Sequence, residues 1–176
     1  MVGAVLATFG CASAAPEPEL PKTCFEAWQH PVLEVKATSR PKASTELPAL
    51  YFTVNYAVPA TGFAHIVIDQ IEAGEIVEDS DGPFSVQTSS GSWIELQDAA
   101  GKTLYTQLKF ELIPESVEAS GPNGIFQNIV ECPHSGRLRL TGFPNRPEAR
   151  SLVFFQNPVD GVAGTNTVEF ARFELP

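Results

Sequence analysis

"LYFTVNYAV", Leu50 to Val58, alternates without a break. Leu50, Phe52, Val54, Tyr56 and Val58 fall on one side of an extended chain; Tyr51, Thr53, Asn55 and Ala57 fall on the other. Successive side chains of a strand point to opposite faces, so this is the pattern of a half-buried β-strand. Leu104 to Leu112, LYTQLKFEL, repeats it: Leu104, Thr106, Leu108, Phe110 and Leu112 against Tyr105, Gln107, Lys109 and Glu111.

Working outward, further strand candidates are Val32–Ala37, Phe63–Ile71, Glu75–Val77, Phe84–Gln87, Trp93–Gln97, Ile125–Cys132, Leu138–Thr141, Ser151–Gln156 and Thr167–Leu175. Turn-formers separate them: Asp79-Ser80-Asp81-Gly82-Pro83, Ser90-Gly91, Gly121-Pro122-Asn123-Gly124, Pro144-Asn145, and Asn157 through Gly164. The last strand carries a register clue. Val168 and Phe170 share one parity, Phe173 and Leu175 the other. One extra residue near Ala171 or Arg172 restores a single apolar face, so a β-bulge is predicted there. With 15 prolines and 13 glycines no window supports a long helix. Thr23-Cys24-Phe25-Glu26 has capping-box spacing and predicts one helical turn, which Pro31 ends. The expected fold is all-β: an antiparallel β-sandwich of about nine short strands in a single domain, residues 23–176.

Composition is that of a folded domain, with 43% hydrophobic and 18% charged residues among 176. The formal net charge of −10 repels phosphate backbones, which argues against nucleic acid as a partner. Arg137, Arg139, Arg146 and Arg150 are spread along the chain and read as a solvated strand face and loop. Val2 to Ala15, VGAVLATFGCASAA, is uncharged and too short for a transmembrane helix, which needs about 20 apolar residues. Closed by Ala12-Ser13-Ala14, it resembles a secretory signal peptide, residues 1–14, followed by a proline-rich lead-in, residues 15–22. The basic start of such a signal is missing; a buried N-terminal strand, or a fragment of a larger secreted protein, are the other readings. Cleavage after Ala14 discards Cys11. Alternatively Cys11 is a lipid anchor, a reading that Thr8 and Phe9 disfavour, because lipoprotein signals usually place Leu and a small residue there. Either way Cys24 and Cys132 remain. In an exported chain they predict one disulfide closing a loop of roughly a hundred residues, worth on the order of 4 kcal/mol. Two buried free thiols are the alternative.

Ser92 to Gln107, SWIELQDAAGKTLYTQ, reads as a hairpin turning at Asp98-Ala99-Ala100-Gly101. It resembles the "strand, D-x-x-G-[KR], strand with Leu-Tyr" hairpin of immunoglobulin-like β-sandwiches in uncharacterised exported bacterial proteins. The resemblance covers about sixteen residues of the chain. It implies an immunoglobulin-like or jelly-roll-like sandwich and a secreted, periplasmic or cell-envelope setting; it implies no activity. The Cys, Trp and Cys spacing of antibody-type domains is absent.

Trp93, Tyr105 and Tyr51 are the aromatic candidates for a flat sugar-stacking platform. A four-residue loop at 98–101 sets Trp93 opposite Thr106 and turns it into the core with Leu104 and Leu108, while Tyr105 points outward beside Ile94. Tyr105, Asn145, Asn157 and Asp160 are therefore the candidate ligand surface. Glu78-Asp79-Ser80-Asp81-Gly82 has the look of a calcium loop but lacks the spaced ligands and the closing Glu, so it reads as a plain acidic turn. His30, His65 and His134 stand apart, with no pair at metal-ligand spacing. There is no G-x-S-x-G, no phosphate loop and no dinucleotide fingerprint, so no catalytic residue, metal or cofactor is assigned. The function expected is that of an exported, non-catalytic binding or accessory module, its contacts with protein or polysaccharide made by the loops Asn157–Asn166 and Gly142–Ala149. The alternative is a small secreted hydrolase or enzyme inhibitor of the same fold.

Overall fold

The alternation at Leu50–Val58 becomes the middle of a sheet. A computed structural model describes residues 24–86, 88–89, 91–108, 117–120, 126–129, 135–156 and 167–176. A short helix α1 (Cys24–Gln29) stops before Pro31, as the proline requires. Ten strands follow: β1 (Val32–Val35), β2 (Ala49–Ala57), β3 (His65–Gly74), β4 (Trp93–Asp98), β5 (Thr103–Leu108), β6 (Val117–Ser120), β7 (Phe126–Ile129), β8 (Ser135–Pro144), β9 (Ala149–Gln156) and β10 (Val168–Glu174). One sheet has the order β1-β3-β2-β8, a second the order β10-β9-β4-β5, and β6 and β7 pair separately. The all-β expectation holds.

Leu50, Phe52 and Val54 are fully buried, and Tyr56 and Val58 pack against the same cluster. Ile66 and Ile68 of β3 join them from the first sheet; Ile94, Leu96, Leu152, Phe154 and Phe173 come from the second. Each such side chain removed from water contributes roughly 1.5–3 kcal/mol, which is why both sheets turn their apolar parity inward. Trp28 of α1 is also fully buried, beside Tyr56 at 5.7 Å and Phe170 at 6.2 Å between ring centroids. The bulge predicted near Ala171 lies at Phe170: Glu169 pairs with Phe155, and Ala171 with the next residue, Phe154. That single extra residue moves Ala171, Phe173 and Leu175 into the core.

Four expectations need correction. Glu75–Val77 and Phe84–Gln87 are not strands where described; residues 75–86 carry the chain from one sheet to the other without strand. Their Glu, Asp, Gly and Pro content disfavours a ladder. The pairing is not wholly antiparallel, since β1 runs parallel to β3 from Val32↔His65 to Val35↔Ile68. The connection over residues 36–48 is long enough to allow this. The strand at Val117–Ser120 was not foreseen. Finally, the register of β4 and β5 is shifted. Trp93 pairs with Leu108, not Thr106, and Leu104 is the extra residue of a second bulge, between the pairs Leu96↔Tyr105 and Gln97↔Thr103. A shift of two leaves the faces as expected, with Ile94, Leu96 and Tyr105 on one and Trp93 on the other, but it is the face of Ile94, Leu96 and Tyr105 that meets the main core.

The hairpin turn itself is dictated locally. Asp98 Oδ1 accepts from the amides of Ala100 and Lys102, both at 2.9 Å, and Gly101 takes φ +78°. Asp at the turn start and a glycine where φ must be positive are the residues this geometry selects.

Candidate functional site

The acidic turn after β3 lies along the outer edge of the second sheet. Glu78 N donates to Gly142 O at 3.0 Å on β8, and Asp81 N donates to Thr106 O at 2.9 Å on β5. Thr106 N donates to Ser80 Oγ at 3.1 Å, and Leu108 N to Asp81 Oδ2 at 2.8 Å. Gln107 Nε2 donates both to Glu78 Oε2, at 2.5 Å, and to Thr141 O, at 3.1 Å. Four consecutive residues thus stitch the edge strand of one sheet to the edge strand of the other. The Glu78 and Asp81 carboxylates are acceptors in this strap. Among the described residues, no group of three or more His, Cys, Asp or Glu is placed to hold a metal ion.

Tyr105 lies beneath the strap rather than on an outer surface. It is 4% exposed, its ring edge-on to Phe143 at 5.3 Å. Its hydroxyl donates to Asp79 O at 3.4 Å. Its ring shares a face with Ile94 and Leu96, as expected, but that face, and not the one carrying Trp93, is turned to the main core. Burial first, and then the carboxylates of Glu78, Asp81 and Asp79, push this hydroxyl from 10.0 up to about 12. A phenol whose pKa is raised on folding binds its proton more tightly in the native state. Its contribution is complete below the unfolded value near 10 and is lost as pH climbs towards 12. In alkaline difference spectra one of the three tyrosines is expected to titrate near pH 12, and Tyr105→Phe is expected to remove that step and flatten the stability loss above pH 10. Titration of all three together near pH 10 would contradict the assignment.

The outward face of the second sheet carries a second polar group. Glu95 is 5% exposed, and both its oxygens are occupied. Trp93 Nε1 donates to Oε1 at 3.0 Å; Gln97 Nε2 and Thr103 Oγ1 donate to Oε2 at 2.6 and 2.7 Å. Arg172 Nη1 donates to Gln97 Oε1 at 3.0 Å and forms a two-nitrogen ion pair with Glu169. Beside this network Trp93 is sandwiched: Phe155 stacks on it at 5.1 Å and 16°, and Phe84 leans over it at 5.3 Å. The strap's continuation thus closes over the tryptophan, which is 2% exposed and offers no open ring face. Trp93 is buried as expected, but in this smaller cluster with Val153 and Phe155 instead of in the main core.

Tyr51 is on yet another surface. Its half-buried ring lies close over Gly74, where a Cβ would come within 2.3 Å, and the Arg139 guanidinium sits 5.6 Å from its centroid. The three aromatic candidates therefore belong to three separate places, and no shared platform exists. Asn145 is 7% exposed and structural: its amide donates to Pro48 O at 2.7 Å, and Nδ2 to Pro41 O at 3.0 Å. His30 lies edge-on to Phe63, and His65 is exposed at the start of β3. Asn157, Asp160, His134, Cys11, Cys132 and the segments 1–14 and 15–22 lie outside the described residues, as does the whole loop Asn157–Asn166. Cys24 opens α1.

No family model, curated protein or solved structure matches this chain. No helix among the described residues is long and apolar enough to cross a membrane.

One grouping had no signal in the sequence. Arg40, in the connection between β1 and β2, reaches the loop before β9: Nη1 donates to Ala149 O at 2.8 Å and Nη2 to Pro147 O at 3.3 Å. Arg150 Nη1 donates to the same two oxygens, at 3.0 and 2.9 Å. Two guanidiniums more than a hundred positions apart in sequence converge on two carbonyls. Burial, followed by the charge of Arg150, pulls Arg40 below the usual arginine range, with Glu148 opposing.

Proposed function

We propose that this chain is an exported, non-catalytic β-sandwich module, of immunoglobulin-like or jelly-roll-like type, that binds protein or polysaccharide. Support for a sandwich comes from the two four-stranded sheets that contribute to one apolar cluster. Support for export comes from the signal-like segment 1–14. The observation that carries the binding reading is the fate of the polar groups. Glu78, Asp81, Tyr105, Glu95 and Asn145 each hold a neighbouring strand or loop in place. Arg146, on the loop between β8 and β9, and Arg150, at the start of β9, remain exposed. Loops at sandwich ends are where such domains make their contacts.

Two readouts on the full chain, expressed in a bacterium, test this. Mass spectrometry of the mature product is expected to show Ala15 as the first residue and a mass lowered by the two hydrogens lost in a Cys24–Cys132 bridge. Immobilised envelope polysaccharides and envelope proteins are expected to retain the chain, with the polymer unchanged after incubation. An intact N-terminus in the cytosolic fraction would overturn export. Release of shortened polymer would favour the hydrolase.

A further inference from the structure

We infer that Arg40 and Arg150 form an oxyanion-binding site at the end of the molecule, taking one carboxylate, sulfate or phosphate group between the two guanidiniums. The shared carbonyls of Pro147 and Ala149 fix both planar heads in place, so little side-chain entropy is left to lose on binding. Each guanidinium has five N–H donors. Among the described residues, Arg40 Nε and Arg150 Nε and Nη2 have no acceptor. The ion pairs among the described residues are Arg139–Glu72 and Arg172–Glu169, so neither Arg40 nor Arg150 has a carboxylate in contact. Glu148 eases the repulsion of the two like charges without an ion pair to either, and an anion placed between them relieves more of it while accepting charge-assisted hydrogen bonds.

A purely mechanical role, in which both arginines only tie residues 36–48 to the loop, accounts for the bonds to Pro147 and Ala149. It leaves unexplained why two cations converge on acceptors that one would satisfy. Lys42 and Arg146, both exposed and close in sequence to the two arginines, place this end against the sign of the whole chain, which is −10. The site stands on this geometry and does not depend on whether the module's ligand is a protein or a polysaccharide.

The test is titration of the full chain with sodium sulfate, sodium phosphate and sodium acetate at constant ionic strength, followed by calorimetry or amide NMR. The wild type is expected to bind, with the sulfate and acetate arms reporting whether a tetrahedral or a planar anion fits better. Arg150→Gln is expected to weaken binding about tenfold, the equivalent of one charge-assisted contact. Arg40→Lys keeps the charge but loses the fork, and is expected to weaken it similarly. Arg137→Gln, on exposed β8, is expected to bind as the wild type does. Should Arg40→Lys loosen the fold, Arg150→Gln alone decides, since Arg150 is exposed. Equal affinity in Arg150→Gln and wild type, or no binding of any of the three anions by the wild type, would overturn the site.

Discussion

Phe143→Ala is expected to lower the free energy of unfolding by about 3–5 kcal/mol, more than any other single truncation considered. Phe143 is fully buried near the end of β8. Its ring meets Phe52 at 5.4 Å and 88° within its own sheet, and Tyr105 at 5.3 Å and 64° across the core. Removing it opens a void that both sheets line. It also takes away the apolar wall against which Tyr105 holds its hydroxyl under the strap. The cavity has little means of collapse, because the Gly142 amide segment next to it is pinned by Glu78. Denaturant titration is the check: the midpoint is expected to fall while the slope stays the same, the sign of lost stability without a change in exposed area. A loss below about 1 kcal/mol would mean that the two sheets do not depend on this ring for their packing.

Gly142→Ala is expected to destabilise by about 2–3 kcal/mol, through two separable effects. The backbone there has φ +82°, in the left-handed region that a Cβ penalises by roughly 1–2 kcal/mol. An added Cβ would also lie 2.5 Å from Glu78 Cγ, so the glutamate must move and release Gln107. The conformation arises because Thr141 and Gly142 together oppose the single residue Tyr51, a bulge that aims the Gly142 carbonyl at the strap. Gly101→Ala provides the comparison. Its φ is +78°, with nothing within 4 Å of the added atom, so only the backbone penalty of roughly 1–2 kcal/mol applies. In a Glu78→Gly background, which also removes the Glu78 Cβ at 2.9 Å, Gly142→Ala is expected to fall to the Gly101→Ala value, a coupling that thermal or chemical melts resolve. Additive losses would show that the strap does not sense residue 142.

The same particulars explain which features were legible in the sequence. β2 was readable because Leu50, Phe52, Val54 and Tyr56 share one parity, and all four reach the core. The bulge in β10 was readable because the apolar parity changes along the strand, and it lies at Phe170, within a residue or two of the expected place. The β4–β5 hairpin resisted because both parities carry large apolar residues: Trp93 competes with Ile94 and Leu96, and Tyr105 with Leu104. Which of the two faces meets the other sheet decides between them, and that is not encoded in the alternation. For that reason Tyr105 was expected on a ligand surface and is in the core. Asn145 looked like an exposed loop residue because its partners, Pro41 and Pro48, are a hundred positions away. The meeting of Arg40 with Arg150 is invisible for the same reason. Side chains brought together by tertiary folding leave no local spacing to detect.

The strap over residues 78–81 bears on how the protein behaves in company. An uncovered edge strand offers its backbone groups to any other extended chain, and such edges seed fibres and swapped assemblies. On β5 the amides of Thr106 and Leu108 and the carbonyl of Thr106 are already taken by the chain itself. A neighbouring copy arriving at that margin meets the charges of Asp79 and Asp81 in place of a vacant ladder. The acidic turn thereby covers the one margin of the second sheet at which a second copy would otherwise find Thr106 and Leu108 unpaired.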